Sequence, residues 1–312
     1  MKDKISVMVV TYNSEYTIEE TLNSVLLQSY GAENIELIIT DDCSKDNTVS
    51  IIKKWSVYNK NKFYRVVLIE NSVNKGVSEN CNIGWKACTS NWIKSIGGDD
   101  LLSVDCLEKN HQFILSNPEC RIVFSKMEWF GRITKITPEP YNIPFFNLSA
   151  HEQYYYLMFK SFNIAPTSYI HRGALADIGY ADRKYTLIED LPLWLKFTSN
   201  NYKLYFFSHI TVKYRVQNST SKHASRYINI PFLQQLIEID SCFKFRDMPT
   251  LYYKALKIDA VILMKGKLLI SKITNNRVCA LSKILDIVHF LLRPVYILRK
   301  IYRSYINYIA IK

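Results

Sequence analysis

The chain has 312 residues, 48% of them hydrophobic and 13% aromatic, enough for one large domain or one domain with an appendage. Its net charge of +12 is unevenly spread, because Asp240 to Lys312 carries 14 basic residues against 4 acidic ones, ten of the twelve charges. Nucleic-acid-binding proteins more often carry such charge on the folded body, so the asymmetry argues against that class and for a basic appendage.

Ile5 to Val10 is an apolar, β-branched run expected to form a central parallel strand, ending in Thr11-Tyr12-Asn13. A helix follows, with Thr17 and Glu20 at capping-box spacing and Ile18, Leu22, Val25 and Leu26 on one face. The next strand, Ile35 to Thr40, runs into Asp41-Asp42-Cys43-Ser44, and a helix through Val49, Ile52 and Trp55 comes after it, capped by Asp46 or Asn47. Strand Arg65 to Ile69, a helix around Ser78 to Cys88 and a strand from Trp92 complete a β-α-β-α-β-α-β order, the pattern of a doubly wound sheet. Further on, the sequence predicts a helix over Ser103 to Ser116 and a strand at Arg121 to Phe124. A long proline-bearing loop is expected from Gly131 to Leu148, then a short aromatic helix from Tyr154 to Phe159. Two last strands are expected at Leu204 to Phe207 and Val212 to Val216.

The seven cysteines (Cys43, Cys81, Cys88, Cys106, Cys120, Cys242 and Cys279) are scattered and contain no CxxC pair. That pattern argues against a disulfide framework or zinc site and for a reducing cytoplasm. No signal peptide precedes the first apolar run, and no stretch of about 18 uninterrupted apolar residues predicts a transmembrane helix.

The chemistry-bearing stretch is WIKSIGGDDLL, where a buried strand ends in two glycines and the adjacent carboxylates Asp99 and Asp100. Ligands of open α/β sheets bind at the carboxyl ends of strands. Two carboxylates there repel unless a cation neutralises them, and Mg²⁺ or Mn²⁺ suits hard oxygen ligands. The plainer reading is that they cap the next helix. Glu189 and Asp190 form a second acidic pair. Asp190, just before Leu191-Pro192, suits either a helix N-cap or a general base, and a capped helix end can orient a base.

Five segments in order carry a resemblance: ISVMVVTYNSEYTIEETLNSVLLQSY, IELIITDDCSKDNT, NKGVSENCNIG, IGGDD and IEDLPLW. Together they resemble family 2 glycosyltransferases over about residues 4 to 218, and within that family the bacterial enzymes that build surface polysaccharides such as O-antigen or capsule. The resemblance implies the GT-A fold, an α/β doubly wound mixed sheet with a Rossmann-like nucleotide-binding half (residues 1–102) and an acceptor half (103–225). Residues 226–312 would be a helical C-terminal appendage. It further implies a metal-dependent, inverting hexosyltransferase using Mn²⁺ or Mg²⁺. The donor would be a nucleotide sugar, with a UDP-sugar favoured because Asp42 can accept from a ring N–H that uracil has and cytosine lacks. The acceptor would be a lipid-linked saccharide at the cytoplasmic face of the membrane, with no nucleic acid as partner.

Carried onto this chain, the resemblance places Thr11, Tyr12, Glu15, Asp42, Lys75, Asp99 and Arg215 around the donor. Tyr12 would stack on the base, and Asp41 and Asp46 would hold the loop. Asp99 and Asp100 would take the metal, and Asp190 would be the base. Three positions depart from the family pattern: Gly97 stands where Asp is frequent, Cys81 where Arg is common, and Gln217 where a His often binds the diphosphate. His223 lies too far along to replace it, and Arg215 suits either phosphate or a structural ion pair.

In the appendage, His289, Arg293, Tyr296, Lys300 and Arg303 recur at spacings of four and three, with Leu291, Leu292, Val295, Leu298, Ile306 and Ile309 largely elsewhere on the wheel and a break at Pro294. A basic, aromatic, amphipathic helix is expected to lie on an anionic membrane surface; the alternative is a helix packed back on the catalytic domain. Two other functions compete with glycosyl transfer. A nucleotidyltransferase would show a basic, glycine-rich loop where TYNSEY stands, and a non-catalytic basic protein would show salt-sensitive nucleic-acid or membrane binding without turnover.

Overall fold

A computed structural model of the protein describes residues 2–158, 164–216, 226–243, 248, 250–293, 295–298 and 300–301. Phe159, Gln217, His223, Pro294, Arg303, Ile306 and Ile309 lie outside these. The chain forms two compact units, one from residues 1–138, 146–154 and 162–217 and the other from 139–145, 155–161 and 218–312.

The first unit is built on one sheet. β1 (Ile5–Thr11) and β2 (Ile35–Asp41) are its most buried strands, and their near-continuous apolar runs pair in parallel from Ile5 against Ile35 to Thr11 against Asp41. β3 (Arg65–Glu70) pairs with β2 and β4 (Trp92–Gly97) with β1, again in parallel. Helices α1 (Ile18–Leu26), α2 (Thr48–Asn59) and α3 (Val77–Ala87) are the crossovers that parallel pairing demands. Then come β5 (Leu101–Leu102), α4 (Cys106–Ser116), β6 (Ile122–Gly131), β7 (Lys135–Thr137), α5 (Ala150–Leu157), β8 (Tyr169–His171), α6 (Arg172–Asp177), α7 (Asp190–Ser199) and β9 (Tyr205–Val216). The strand order is β3-β2-β1-β4-β8-β6-β9-β5, with β7 on β6. The sheet is mixed because β8 is antiparallel to both β4 and β6. Both acidic pairs belong to this unit.

Several expected boundaries shift. The two strands at Leu204–Phe207 and Val212–Val216 are one strand, β9, which follows β6 through register shifts around Lys126. The Gly131–Leu148 loop holds β7 and 3₁₀ turns over Pro140–Asn147. Helix α4 begins at Cys106 with Asp105 as its N-cap, so Asp99 and Asp100 do not cap it. Thr17 and Glu20 make no capping box; both are turned toward the site described below.

The second unit is helical, with α8 (Ile230–Ser241), α9 (Leu251–Ile273) and α10 (Ala280–Leu291). Among the described residues no helix is long and apolar enough to cross a membrane. Two members of the expected basic outer face turn inward. His289 and Arg293 are both buried: His289 Nε2 lies 3.0 Å from the Ile262 carbonyl, and Arg293 makes a bidentate pair with buried Asp259 at 2.8 and 3.3 Å. Burying a charge requires such a partner, and Asp259 on α9 turns that face of the wheel inward.

Candidate active site

The turn after β4 is shaped by close approach. A Cβ on Gly98 would stand 2.9 Å from Thr11 Oγ1 and 3.2 Å from Ser14 Oγ, so only glycine lets the turn lie against β1. One face of the α1 segment then grips this turn from below. Thr17 Oγ1 donates to the Gly98 carbonyl and Thr21 Oγ1 to the Asp100 carbonyl, both at 2.8 Å. Ser24 Oγ accepts from Leu102 N at 3.1 Å, and Gln28 Nε2 donates to the Ser103 carbonyl at 2.8 Å. The four residues are spaced four, three and four apart, one helical stripe. Arg215, on β9, closes the turn from the other side. Its backbone N–H donates to Asp100 Oδ1 and its Nε to the Asp99 carbonyl, each at 2.8 Å, while its guanidinium pairs with Glu20. Of the two roles open to Arg215, the structure shows the ion pair.

A cavity of about 220 Å³ brings the two acidic pairs together. Asp100, Glu189 and Asp190 line it, with Cys81, Trp85 and Trp194 among the apolar walls. Asp100 is buried, and burial together with Asp99 raises its carboxyl well above the usual range. Glu189 is pushed up to about 8 by burial and by the adjacent Asp190, so it holds a proton at neutral pH. Burial raises Asp190 too, but the Leu191 N–H donates to its Oδ1 at 2.7 Å and favours the ionised form. One proton on Glu189 and one charge on Asp190 is the arrangement these surroundings favour. Cys81 is a buried neutral thiol; an arginine there would hold Glu189 ionised.

Asp190 is the first residue of α7, with Glu189 as N-cap and no side-chain cap bond, so of the two readings of Asp190 the N-cap is not made. Tyr12 follows β1 directly and is exposed. Asp42 is buried and already accepts from Asn71 Nδ2 at 3.1 Å, Lys75 N at 2.8 Å and Gly76 N at 2.9 Å. A carboxylate has about four acceptor sites, so one remains for a ring N–H. Lys75 contributes its backbone there and leaves its side chain exposed. Glu15 accepts from Asn47 N and Nδ2 at 3.1 and 2.9 Å, and Thr11 buries its hydroxyl beneath Gly98, so both shape the loops. Asp41 accepts from Ser44, and Asp46 from Thr48 and Glu15 N; these two hold the loop as expected.

Residues 6–178 match the glycosyl transferase family 2 model. The chain belongs to this family. Across 213 residues it is 28% identical to WfaP of Escherichia coli, a UDP-Glc:alpha-D-GlcNAc-diphosphoundecaprenol beta-1,3-glucosyltransferase, covering 68% of this chain and 77% of that one. Its fold is similar to that of the TarS 1–349 fragment of Staphylococcus aureus in complex with UDP-GlcNAc (TM-score 0.60, 20% identity, 85% of this chain and 72% of that one). A mannosyltransferase of Pyrobaculum calidifontis in complex with GDP-Man and Mn²⁺ is similar over the full chain and 87% of its own (TM-score 0.61, 16% identity). The glycosyltransferase therefore has the GT-A fold, with helices at its C-terminal end.

Among the described residues of this family 2 glycosyltransferase, no group of three His, Cys, Asp or Glu side chains is gathered to hold a metal. The donor set nevertheless fits a hard divalent cation. Asp99 is exposed beside buried Asp100, whose Oδ1 is taken by the Arg215 N–H while Oδ2 keeps its lone pairs. Mg²⁺-type sites commonly use one or two carboxylates and draw their other ligands from substrate phosphates and water. A side chain at position 97 would come within 2.8 Å of Asp99 Oδ1, so Gly97 leaves that oxygen free.

Sequence reasoning missed Lys94. It is fully buried in β4, with Nζ donating to the carbonyls of Ser95 and Ser168, both at 3.2 Å, and of Pro166. Burial pushes it down to about 8, and its charge offsets that of Asp100. The signal was a lysine inside a central strand, beside Ser95 and between apolar residues.

Proposed function

We propose that the protein is an inverting, metal-dependent hexosyltransferase that moves a sugar from a nucleotide-diphosphate sugar, UDP-sugars favoured, to a lipid-linked saccharide during synthesis of a bacterial surface polysaccharide such as O-antigen or capsule. The observation that carries it is the single cavity holding Asp100, Glu189 and Asp190 at the carboxyl ends of the parallel strands. The printed donor and lipid-linked acceptor of WfaP, and the UDP-GlcNAc bound by TarS, support the choice of substrates. Residues 1–225 form the transferase domain, and residues 226–312 hold it at the cytoplasmic membrane surface.

In this reading the acceptor hydroxyl attacks the anomeric carbon from the face opposite the leaving diphosphate. A carbon–oxygen bond forms to the acceptor as the bond to the phosphate oxygen breaks, which inverts the centre. Asp190, ionised beside a protonated Glu189, takes the hydroxyl proton. Tyr12 stacks on the base and Asp42 accepts its ring N–H. Asp99 and Asp100 would hold Mn²⁺ or Mg²⁺, which would supply positive charge for the departing nucleoside diphosphate.

A screen of nucleotide sugars for donor hydrolysis with Mn²⁺ tests this. At least one UDP-sugar should turn over, and Asp190→Asn should bind that donor normally while losing transfer by about two to four orders of magnitude. If no nucleotide sugar is consumed, or Asp190→Asn transfers at the wild-type rate, the assignment is wrong.

A further inference from the structure

The helical unit pairs its acids internally and leaves apolar side chains and several cations exposed. Three of the four acids of its Asp240–Lys312 segment are engaged in ion pairs within the unit: Asp240 with Lys257 and Asp286 with Lys267, each at 2.6 Å, and Asp259 with Arg293 at 2.8 Å. The fourth, Asp247, lies outside the described residues. Apolar side chains face outward instead. On α10, Leu281, Ile284, Ile287 and Leu291 are 47%, 57%, 64% and 65% exposed. At 100° per residue they form one stripe, with exposed Lys283 beside it. Twelve residues make a helix of roughly 18 Å, well short of the ~30 Å bilayer core, so such a stripe lies in the interface and does not span.

At the start of this stripe is a concave site of about 500 Å³ lined by Arg226, Asn275, Asn276, Arg277 and Val278. Arg226 and Arg277 face each other across an isolated antiparallel bridge. Like charges opposite one another in such a bridge repel, and among the described residues neither arginine has a carboxylate partner. The pair is held there by Asn276. Its carbonyl accepts from Tyr227 N at 2.9 Å, and its side chain exchanges bonds of 3.0 and 3.1 Å with Ile228. Two exposed arginines fixed opposite one another by their backbone suit a phosphate, and the apolar stripe beside them suits acyl chains.

We infer that Arg226 and Arg277 form a phosphate clamp for anionic lipid headgroups, which seats the outward face of α10 in the membrane interface. The inference rests on the membrane-surface part of the reading above and adds to it a specific site. Lys283, exposed beside the stripe, adds a further cation to that surface.

Co-sedimentation of the full chain with phosphatidylethanolamine vesicles, with and without phosphatidylglycerol, tests it. Arg226→Gln/Arg277→Gln should weaken partitioning to the anionic vesicles roughly 30-fold, the loss expected for two cations at such a surface. Lys60→Gln/Lys62→Gln removes the same charge from the first unit and should change it less than about 3-fold. Inorganic phosphate at constant ionic strength should not displace the protein. If wild type binds and the arginine variant binds equally well, or if the lysine variant falls as far, the clamp is overturned while the membrane reading stands. If phosphate alone competes, the site belongs to a soluble anion. Should wild type ignore anionic vesicles, both ideas fail.

Discussion

At the scale of single residues, Glu189 decides which neighbour can act as a base. Its carboxyl is raised from an ordinary value of 4.5 to about 8 by burial and by Asp190. Between those two pH values the folded chain keeps a proton that the unfolded chain has released. Stability contributed at this position therefore falls as pH rises from about 4.5 to 8, and the deficit is constant above that. Glu189→Gln, which cannot ionise, escapes the loss. In metal-free buffer the variant should melt at nearly the wild-type temperature near pH 4.5 and above it at pH 8, with the gap opening between. A gap that stays flat over that window would mean that Glu189 is ionised in the folded protein, and Asp190 would then lose its distinction as the charged member of the pair.

At the scale of elements, the α1 segment and β9 act as two jaws on the Asp99–Asp100 turn. The strand signals were strong because β1 and β2 are buried on both faces and so read as unbroken apolar runs. The jaws were less legible. Thr17 and Glu20 have capping-box spacing, but the hydroxyl of Thr17 donates to Gly98 and Glu20 pairs with Arg215, 195 residues away. Local spacing cannot register a partner that only the closed sheet supplies. The merging of two expected strands into β9 has the same origin, since the extra residues β9 carries around Ile210 are accommodated only in its pairing with β6. A double-mutant cycle tests the jaws. Glu20→Gln and Arg215→Lys should each lower kcat/KM, and the double variant should fall short of the sum by about 1 kcal/mol, because both act through one contact. Effects that add to within about 0.3 kcal/mol would make Arg215 a direct ligand contact and not a brace.

At the scale of the whole molecule, the two units differ in how they manage charge. In the first, Asp99 stays exposed and Asp100 faces the cavity with Glu189 and Asp190, where carboxylates can meet a ligand. In the second, the acids are paired with cations inside the unit, and His289 and Arg293 of the expected outer face turn inward with them. The spacing of His289 and Arg293 defined a face correctly but not its direction, which Asp259 on another helix determines. That buried pair gives a test of the inward packing. Arg293→Met leaves Asp259 without its cation, and uncompensated charge of this kind costs about 3–5 kcal/mol. Arg293→Met/Asp259→Leu removes both charges and should recover most of that loss, since apolar replacement of a whole buried pair is often neutral or better. Urea unfolding followed by helical circular dichroism would read both variants. Donor hydrolysis should continue in each, because every carboxylate of the site belongs to the first unit. If Arg293→Met unfolds as wild type does, the guanidinium faces water in solution, and the basic outer face read from the sequence is the correct one.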